Sequence, residues 1–303
     1  MLSRLRGNPL QGEFCNGPIS PILAMEPQYR LERFSALLCR ENFDLAEACL
    51  HIAQDAYPGL DIAQNLARID ALAATVRRRV AVDAFAAQKL VVLNRHLFDE
   101  LGFRGNTDDY HDPRNSYLNQ VLERRTGIPI TLSILYMEVG RRLGLRLQGV
   151  SFPGHFLVTL RVSGGQLVLD PFRSGEAQSE SKLRARLARV LPQREADALP
   201  LPSFLQAATP RQILARLLRN LKGIYLQSEE AQNTLEVMQR MVLVAPHAAE
   251  EVRDRGLAYY KLDCFRAALA DLQDYLERRP DAPDADEIRG KAAALRLVCA
   301  RLN

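Results

Sequence analysis

The sequence of 303 residues lacks any arrangement of cysteines typical of a disulfide framework or a zinc site. Its cysteines are odd in number, widely spaced and without a Cys-x-x-Cys pair. They are Cys15, Cys39, Cys49, Cys264 and Cys299. This pattern predicts reduced thiols in a cytoplasmic protein, because disulfides persist mainly in oxidising compartments. It gives no reason to expect a metal or any other cofactor.

Long apolar runs and dense basic stripes are also missing. No apolar stretch reaches the roughly 18 residues that a transmembrane helix needs, so no membrane contact is expected. The formal net charge of +4 comes mostly from arginines scattered in pairs, without the basic stripe and interleaved aromatics of a nucleic-acid-binding face. Neither a membrane nor a nucleic acid is therefore predicted as a partner.

The first 28 residues are rich in glycine and proline. They contain no apolar core of about 7–15 residues, which a secretory signal would carry. We expect a flexible N-terminal extension here, with Met25 as an alternative start.

Helical periodicity then dominates. Between Tyr29 and Leu101 apolar residues recur at i, i+3, i+4 and i+7, which predicts four helices. Asp44 and Asp61 stand where N-caps belong, and Gly102 stands where the fourth helix would end.

The pattern changes in the middle of the chain. The stretch "GIPITLSILYMEVGRRLGL" predicts a helix, whereas "LQGVSFPGHFLVTLRV" and "QLVLDPF" read as short strands. Gly164 and Gly165 between the strands predict a hairpin turn.

The last third of the chain contains an internal repeat. Tyr225 and Tyr259 are 34 residues apart, and the segments around them share apolar positions in the same register. The second segment has small residues, Gly256 and Ala268, where two helices would approach closely. This period predicts two helix-turn-helix units of the tetratricopeptide type, followed by a capping helix.

His155 and Asp170 lie in the two predicted strands and are the first candidates for chemistry. A nucleophile at the start of the preceding helix would be favoured by its free N–H groups and partial positive charge, and His155 oriented by Asp170 would serve as its base. The alternative is structural, because His155 after Pro-Gly can bond a loop and Asp170 before proline can form a turn.

The central motifs resemble a known family. "GIPITLSILYMEVGRRLGL", "GVSFPGHFLV" and "LVLDPF" are similar to the core of the papain-related transglutaminase-like fold. Together with "DPRNSYLNQVLERRTGIPITLS" and the repeats, they resemble the bacterial SirB-type family, which joins such a domain to tetratricopeptide repeats. The resemblance implies a regulatory role and assigns the triad histidine to His155 and the triad aspartate to Asp170.

The resemblance fails at the nucleophile. Counting back from Gly144 places the expected cysteine at Pro129, which has no reactive side chain and one backbone donor fewer. Ser133 and Thr131 lie deeper in the helix and are the remaining nucleophile candidates, although such hydroxyls commonly bond the backbone instead. A transglutaminase-like pseudoenzyme is therefore the expectation, and the question of remaining catalysis stays open.

Other residues are candidates for binding. Asn115 and Arg114 in "DPRNS" could line a cleft or simply follow an Asp-Pro turn, and Tyr225 and Tyr259 could present rings from the repeats. A metal site at which His111, Asp112, His155 and Asp170 converge is the weakest alternative, since no ligand spacing supports it.

These observations predict an α+β, mostly helical protein: a papain/transglutaminase-like domain with a small antiparallel sheet, then an α-helical repeat module. The expected divisions are an extension (1–28), the transglutaminase-like domain (29–190), a linker (191–210) and the repeats (211–303). The predicted function is regulatory interaction with a protein or peptide, through the repeats or the domain interface. The alternative is a hydrolase or acyltransferase that uses His155 and Asp170 with Ser133 or Thr131.

Overall fold

Helices form most of the computed structural model, which describes residues 27–192, 194–195 and 199–301. The mostly helical α+β prediction is confirmed. Of the predicted N-terminal extension, residues 1–26 lie outside the described residues, and Pro27 and Gln28 already belong to the first helix. The helices of the N-terminal part are α1 (Pro27–Leu38), α2 (Leu45–Ala56), α3 (Ile62–Arg77), α4 (Ala86–Asn94), α5 (Leu118–Arg124), α6 (Pro129–Arg142) and α7 (Glu180–Leu187).

The helix starts follow the local sequence. Asp44 and Asp61 cap α2 and α3, as predicted, with carboxylates that accept hydrogen bonds from Glu47 N at 3.0 Å and Gln64 N at 2.9 Å. Helix α4 continues into a π-helical turn (Arg95–Glu100), after which Gly102 adopts a left-handed φ of 71°.

The central sheet has four antiparallel strands in the order β3-β4-β5-β6: β3 (Leu147–Val150), β4 (Leu157–Val162), β5 (Gly165–Asp170) and β6 (Glu176–Ala177). Gly164 turns between β4 and β5 with a φ of 99°. The short strands β1 (Arg104–Gly105) and β2 (Thr126–Gly127) pair in parallel beside this sheet.

Helix α6 is the central element of the main hydrophobic core. Every residue from Pro129 to Gly140 is buried, so this helix has neighbours on all sides. The sheet and helices α2, α3 and α5 contact it. Asp170 ends β5, whereas His155 lies in the loop before β4 and not in a strand, which corrects the prediction made from the sequence.

The C-terminal part is a series of antiparallel helices: α8 (Pro210–Gln227), α9 (Ala231–Val244), α10 (Ala249–Lys261), α11 (Phe265–Arg278) and α12 (Ala285–Arg301). The predicted close approach occurs between α10 and α11. A Cβ atom on Gly256 would lie only 2.9 Å from Asp271 Cβ and 3.0 Å from Leu272 Cδ2. Glycine is therefore needed at this position of the second repeat.

The main core continues from the N-terminal part into the first repeat, α8 and α9. Between them and the sheet, the region predicted as a linker includes a 3-10 turn (Leu201–Phe204) that packs near Phe152. The side chains that α8 and α9 bury in the main core are Ile213, Leu214, Ala215, Leu217, Leu218, Leu221, Tyr225, Val237, Met241 and Val244.

Candidate functional site

His155 and Asp170 are brought together by the strand register. Leu157 pairs with Val150 on one side of β4, and Val158 pairs with Leu169 on the other, so the residues just before β4 face the end of β5. His155 Nε2 lies 2.9 Å from Asp170 Oδ1. The spatial pairing that the two motifs suggested is present in the structure, while a catalytic role for the pair stays a prediction.

The Asp170 carboxylate has further partners. The side chain is fully buried, and its Oδ2 accepts a hydrogen bond from Arg186 Nη2 at 2.5 Å. Its Oδ1 also accepts one from Phe172 N at 3.1 Å. Burial lowers the pKa of the Arg186 guanidinium, and the charge of Asp170 opposes that effect. Asp170 therefore holds both an imidazole and a guanidinium.

The sequence reasoning missed Arg186. Its signal is weak but present, because Arg186 lies in α7 between two buried leucines, Leu183 at i−3 and Leu187 at i+1. A cation on the inner face of a helix usually needs a carboxylate partner. Here that partner is Asp170, 16 residues earlier in the chain.

The His155 imidazole is nearly enclosed, with a side chain that is only 10% exposed. The Phe172 ring meets it edge-on, at 5.9 Å between ring centroids. Arg216 of α8 donates a hydrogen bond of 2.8 Å to the His155 carbonyl oxygen. Nε2 is occupied by Asp170, which leaves Nδ1 as the nitrogen that could act on a neighbouring group.

Pro129 occupies the first position of α6, where its missing N–H costs nothing. Thr131, two residues further on, is buried, and its hydroxyl donates toward the Asn115 carbonyl at 2.7 Å and accepts from Ile128 N at 3.1 Å. These bonds tie the start of α6 to the segment before α5. The hydroxyl of Thr131 thus has backbone partners and makes no hydrogen bond to His155 among the described residues.

Ser133 is fully buried, and its Oγ has no hydrogen-bond partner in the described part of the chain. A serine nucleophile needs its base within about 2.6–3.2 Å. Neither Ser133 nor Thr131 has His155 at hydrogen-bond distance, so the geometry does not favour the hydrolase alternative.

Asn115 and Arg114 hold loops in place. Asn115 is fully buried, donates to the Asp109 carbonyl at 2.7 Å and accepts from Asn106 at 3.1 Å. Arg114 lies at the surface and bonds Asp112 through Nε at 2.9 Å. Burial opposes but does not outweigh the arginine contacts that lower the pKa of Asp112. In this structure both candidates contact their own loop.

The two tyrosines of the repeats differ in surroundings. Tyr225 is buried, and its hydroxyl lies 2.6 Å from that of Tyr117, so it joins α8 to the N-terminal part of the chain. Tyr259 is half-buried between α9 and α10, where its hydroxyl accepts from Gln239 at 3.0 Å. Both contribute to packing, and a role in ligand binding stays a prediction for each.

No cluster of three or more histidine, cysteine, aspartate or glutamate side chains within the described ranges is arranged to hold a metal ion. His111 packs edge-on against Tyr110, at 5.5 Å between centroids. Among the same residues, no helix is both long and apolar enough to cross a bilayer.

The repeats enclose a groove of about 650 Å³ between α8, α9 and α10, which we name the repeat groove. Its apolar side chains include Leu226, which is 47% exposed, together with Met238 and Leu257. Lys222, Lys261 and Asp254 also line it. Lys222 bonds Asp254 at 2.6 Å and Glu251 at 2.8 Å.

Comparison with family models agrees with this architecture. Residues 63–219 match the model of the transglutaminase-like superfamily, which is more than half of the chain. Residues 221–292 match a tetratricopeptide repeat model. The boundary between the matches falls inside α8.

Comparison with individual proteins finds bacterial relatives over most of the chain. It is 42% identical to a UPF0162 protein of Xylella fastidiosa strain Temecula1, over 82% of this chain and 89% of the relative. It is 33% identical to a UPF0162 protein of Vibrio cholerae, over 85% and 96%. Human F-box only protein 21 is 33% identical over 52% of this chain and 22% of its own length.

Proposed function

This chain belongs to the UPF0162 family of bacterial proteins, and we propose that it is a cytoplasmic regulatory protein that binds a protein or peptide partner. In this proposal the repeats supply the binding surface and the transglutaminase-like part supplies a scaffold. Tetratricopeptide repeats commonly form concave surfaces for peptides or partner helices.

The observation that carries the proposal is the repeat groove. Leu226 exposes nearly half of its side chain at a position flanked by Met238 and Leu257. A surface leucine beside an apolar cleft is a typical anchor site for an apolar side chain of a partner. The charged residues that line the groove would orient such a partner.

The scaffold role rests on the surroundings of the retained pair. Pro129 stands where the nucleophile is expected, and the Asp170 carboxylate bonds Arg186 as well as His155. Such a buried network stabilises the sheet, α7 and the loop before β4 together. It supports a structural use of residues that serve as a triad in the resembling enzymes.

Partner capture by full-length variants tests the proposal. A segment that begins after Ser203 is not a suitable reagent, because α8 and α9 bury their side chains in the core of the N-terminal part. Leu226→Glu places a charge in the repeat groove without entering the core, and we expect it to reduce recovery of a partner from a bacterial lysate by about tenfold or more.

The matched control is Leu297→Glu, which changes a leucine that is 66% exposed on α12, outside the groove. Recovery should be the same as for the unmodified chain. If Leu226→Glu and Leu297→Glu capture the same proteins in the same amounts, the repeat groove is not the binding surface and the proposal fails.

A further inference from the structure

A second groove runs along a neighbouring face of α8, between this helix and the transglutaminase-like part. It consists of two adjoining cavities of about 780 Å³ and 280 Å³ that share Arg219 and Asn220. We name it the basic groove. The first cavity reaches Ser151 and Pro153 in the loop before His155, and the second reaches Ile128, directly before Pro129.

We propose that the basic groove binds an extended polypeptide segment that carries acidic side chains. The inference rests on the proposed binding of a protein or peptide partner, and it names the chemistry of that partner and a second surface. The length is appropriate: α8 rises about 24 Å between Arg211 and Gln227, which an extended chain spans with roughly seven residues.

The charges of the groove are unbalanced. Arg211, Arg216 and Arg219 line the larger cavity, and among the described residues no aspartate or glutamate lines either cavity. Arg219 lies 3.6 Å from Glu251 and is 57% exposed, so one edge of its guanidinium remains available. A segment with carboxylates would supply the missing negative charge.

Arg216 is the central cation. It is half-buried, lies over the Phe156 ring at 5.8 Å, and donates to the carbonyl of His155. No carboxylate of the described residues pairs with it. Burial lowers the pKa of Arg216, the interaction with Tyr110 opposes that effect, and the like charge of Arg219 adds to it. A guanidinium removed from water without a counter-charge is unfavourable, and a bound carboxylate would offset that cost.

Arg211 contributes differently. Its guanidinium donates to the carbonyls of Leu243 and Val244 at the end of α9, and to the Leu38 carbonyl at 2.8 Å. These bonds fix the wall of the cavity, and within the described ranges no carboxylate pairs with the Arg211 guanidinium. Arg211 therefore adds positive potential, whereas Arg216 and Arg219 are the groups placed to contact a ligand.

The remaining lining favours a polypeptide over a nucleic acid. Gln206, Asn220 and Gln227 present side-chain amides, which both donate and accept hydrogen bonds. A peptide backbone offers both kinds of group, whereas a phosphodiester backbone only accepts. The exposed aromatic ring of Tyr110 already packs on His111 at one end, and base binding usually uses several free aromatic faces.

Fluorescence anisotropy with the full chain tests the inference. The probe is a labelled eight-residue peptide of alternating glutamate and alanine, and its partner probe has glutamine in place of each glutamate. We expect the glutamate peptide to bind about tenfold or more tightly. Arg219→Gln should weaken binding of the glutamate peptide by about three- to tenfold, as is typical of one partly exposed ion pair with a ligand.

Arg95→Gln is the matched control, since Arg95 is also exposed and has one long contact, 3.4 Å to Glu100, away from the groove. The affinity of the Arg95→Gln variant for the glutamate peptide should stay within about twofold of that of the unmodified chain. Arg216→Gln should weaken binding by more than about tenfold, with circular dichroism to verify that the helices remain.

Three results would overturn the inference: equal binding of both peptides, no effect of Arg219→Gln, or no binding of the glutamate peptide up to about 1 mM. A labelled oligothymidylate that binds more tightly than the peptide and depends on Arg219 would assign the groove to nucleic acid instead. Leu226→Glu tests the repeat groove and Arg219→Gln tests the basic groove. A negative peptide result therefore leaves the partner-capture result standing, and a negative capture result leaves the peptide result standing.

Discussion

The two repeats have the same sequence period but different surroundings. The first, α8 and α9, buries its apolar side chains in the core of the transglutaminase-like part. The second, α10 and α11, forms a small separate core with the capping helix α12. The buried side chains of that core are Ala249, Ala268, Leu272, Tyr275, Ile288, Ala292 and Leu295.

The charged contacts show the same difference. Arg240 of α9 is 1% exposed, bonds Asp55 of α2 through two nitrogens, and lies over the Phe34 ring at 4.7 Å. In the second repeat, Arg278 bonds Asp274 within the same helix, and both side chains are about 40% exposed. Arg240 thus ties the first repeat to α2, whereas ion pairs of the second repeat, such as Arg255 with Asp271, join its own helices α10 and α11.

The two repeats differ in what they contact and in which groove they line. The first repeat is part of the structural unit that holds His155, through Arg216, and it separates the two grooves. The second repeat contributes α10 to the wall of the repeat groove. Variants in the first repeat and variants in the second repeat should therefore affect different parts of the molecule.

The largest expected effect is on the buried contact of Asp55 with Arg240. Asp55→Ala leaves Arg240 and Arg30 without this carboxylate, and we expect a loss of about 3–5 kcal/mol in the free energy of unfolding. Urea denaturation followed by circular dichroism measures it. Asp274→Ala, at the exposed pair, is the control and should cost only about 0–1 kcal/mol. Equal losses would show that the two repeats are anchored alike.

A smaller effect depends on pH at the same junction. His51 of α2 is buried, and its Nδ1 has no hydrogen-bond partner in the part of the chain that the structure describes. Burial, together with the charge of Arg240, lowers its pKa to about 4. The unfolded chain takes up this proton near pH 6.5, so the contribution of His51 to stability falls between pH 6.5 and about 4, by on the order of 2–3 kcal/mol.

The comparison of unmodified chain and His51→Gln isolates that contribution, because glutamine does not titrate. The stability of the variant relative to the unmodified chain should increase as the pH falls from 7 to 4, as measured by urea denaturation at each pH. A constant difference across this range would contradict the buried, neutral histidine.

The smallest effect is expected in the second repeat. Gly256→Ala forces a Cβ atom against Asp271 and Leu272, and even after the gain in helix propensity we expect a net cost of about 1–2 kcal/mol. Gly290→Ala in α12, where nothing lies within 4 Å of the new Cβ, should instead stabilise by about 0.5–1 kcal/mol.

Hydrogen exchange locates the effect of Gly256→Ala. Protection should decrease in α10, α11 and α12 while α2 and α6 keep theirs, because the second repeat has its own core. Loss of protection throughout the chain would mean that the repeats unfold together with the transglutaminase-like part.

Local features of the fold were predictable because nearby residues cause them. Asp44 caps α2 through a bond to an amide three residues away, and Gly164 turns a hairpin between adjacent strands. The pairing of His155 with Asp170 followed from that hairpin, since neighbouring strands bring their ends together. Each of these contacts spans few residues along the chain.

Contacts between distant segments were not predictable from pattern alone. Arg240 and Asp55 are 185 residues apart, and neither position has a local signal that names the other. Arg186 could have been suspected as an inward cation, but its partner Asp170 could not be identified without the packing of α7 on the sheet. Arg216 was missed for the same reason.

The sequence by itself determined the caps of α2 and α3, the 34-residue period of the repeats and the proline at the start of α6, where the resemblance expects a nucleophile. Only the tertiary structure decided which equivalent residues are buried. Tyr225 and Tyr259 occupy the same repeat position, yet Tyr225 bonds Tyr117 inside the molecule and Tyr259 remains half-buried between helices. Burial depends on what packs against a face, and for the first repeat that neighbour is a domain encoded more than 100 residues earlier.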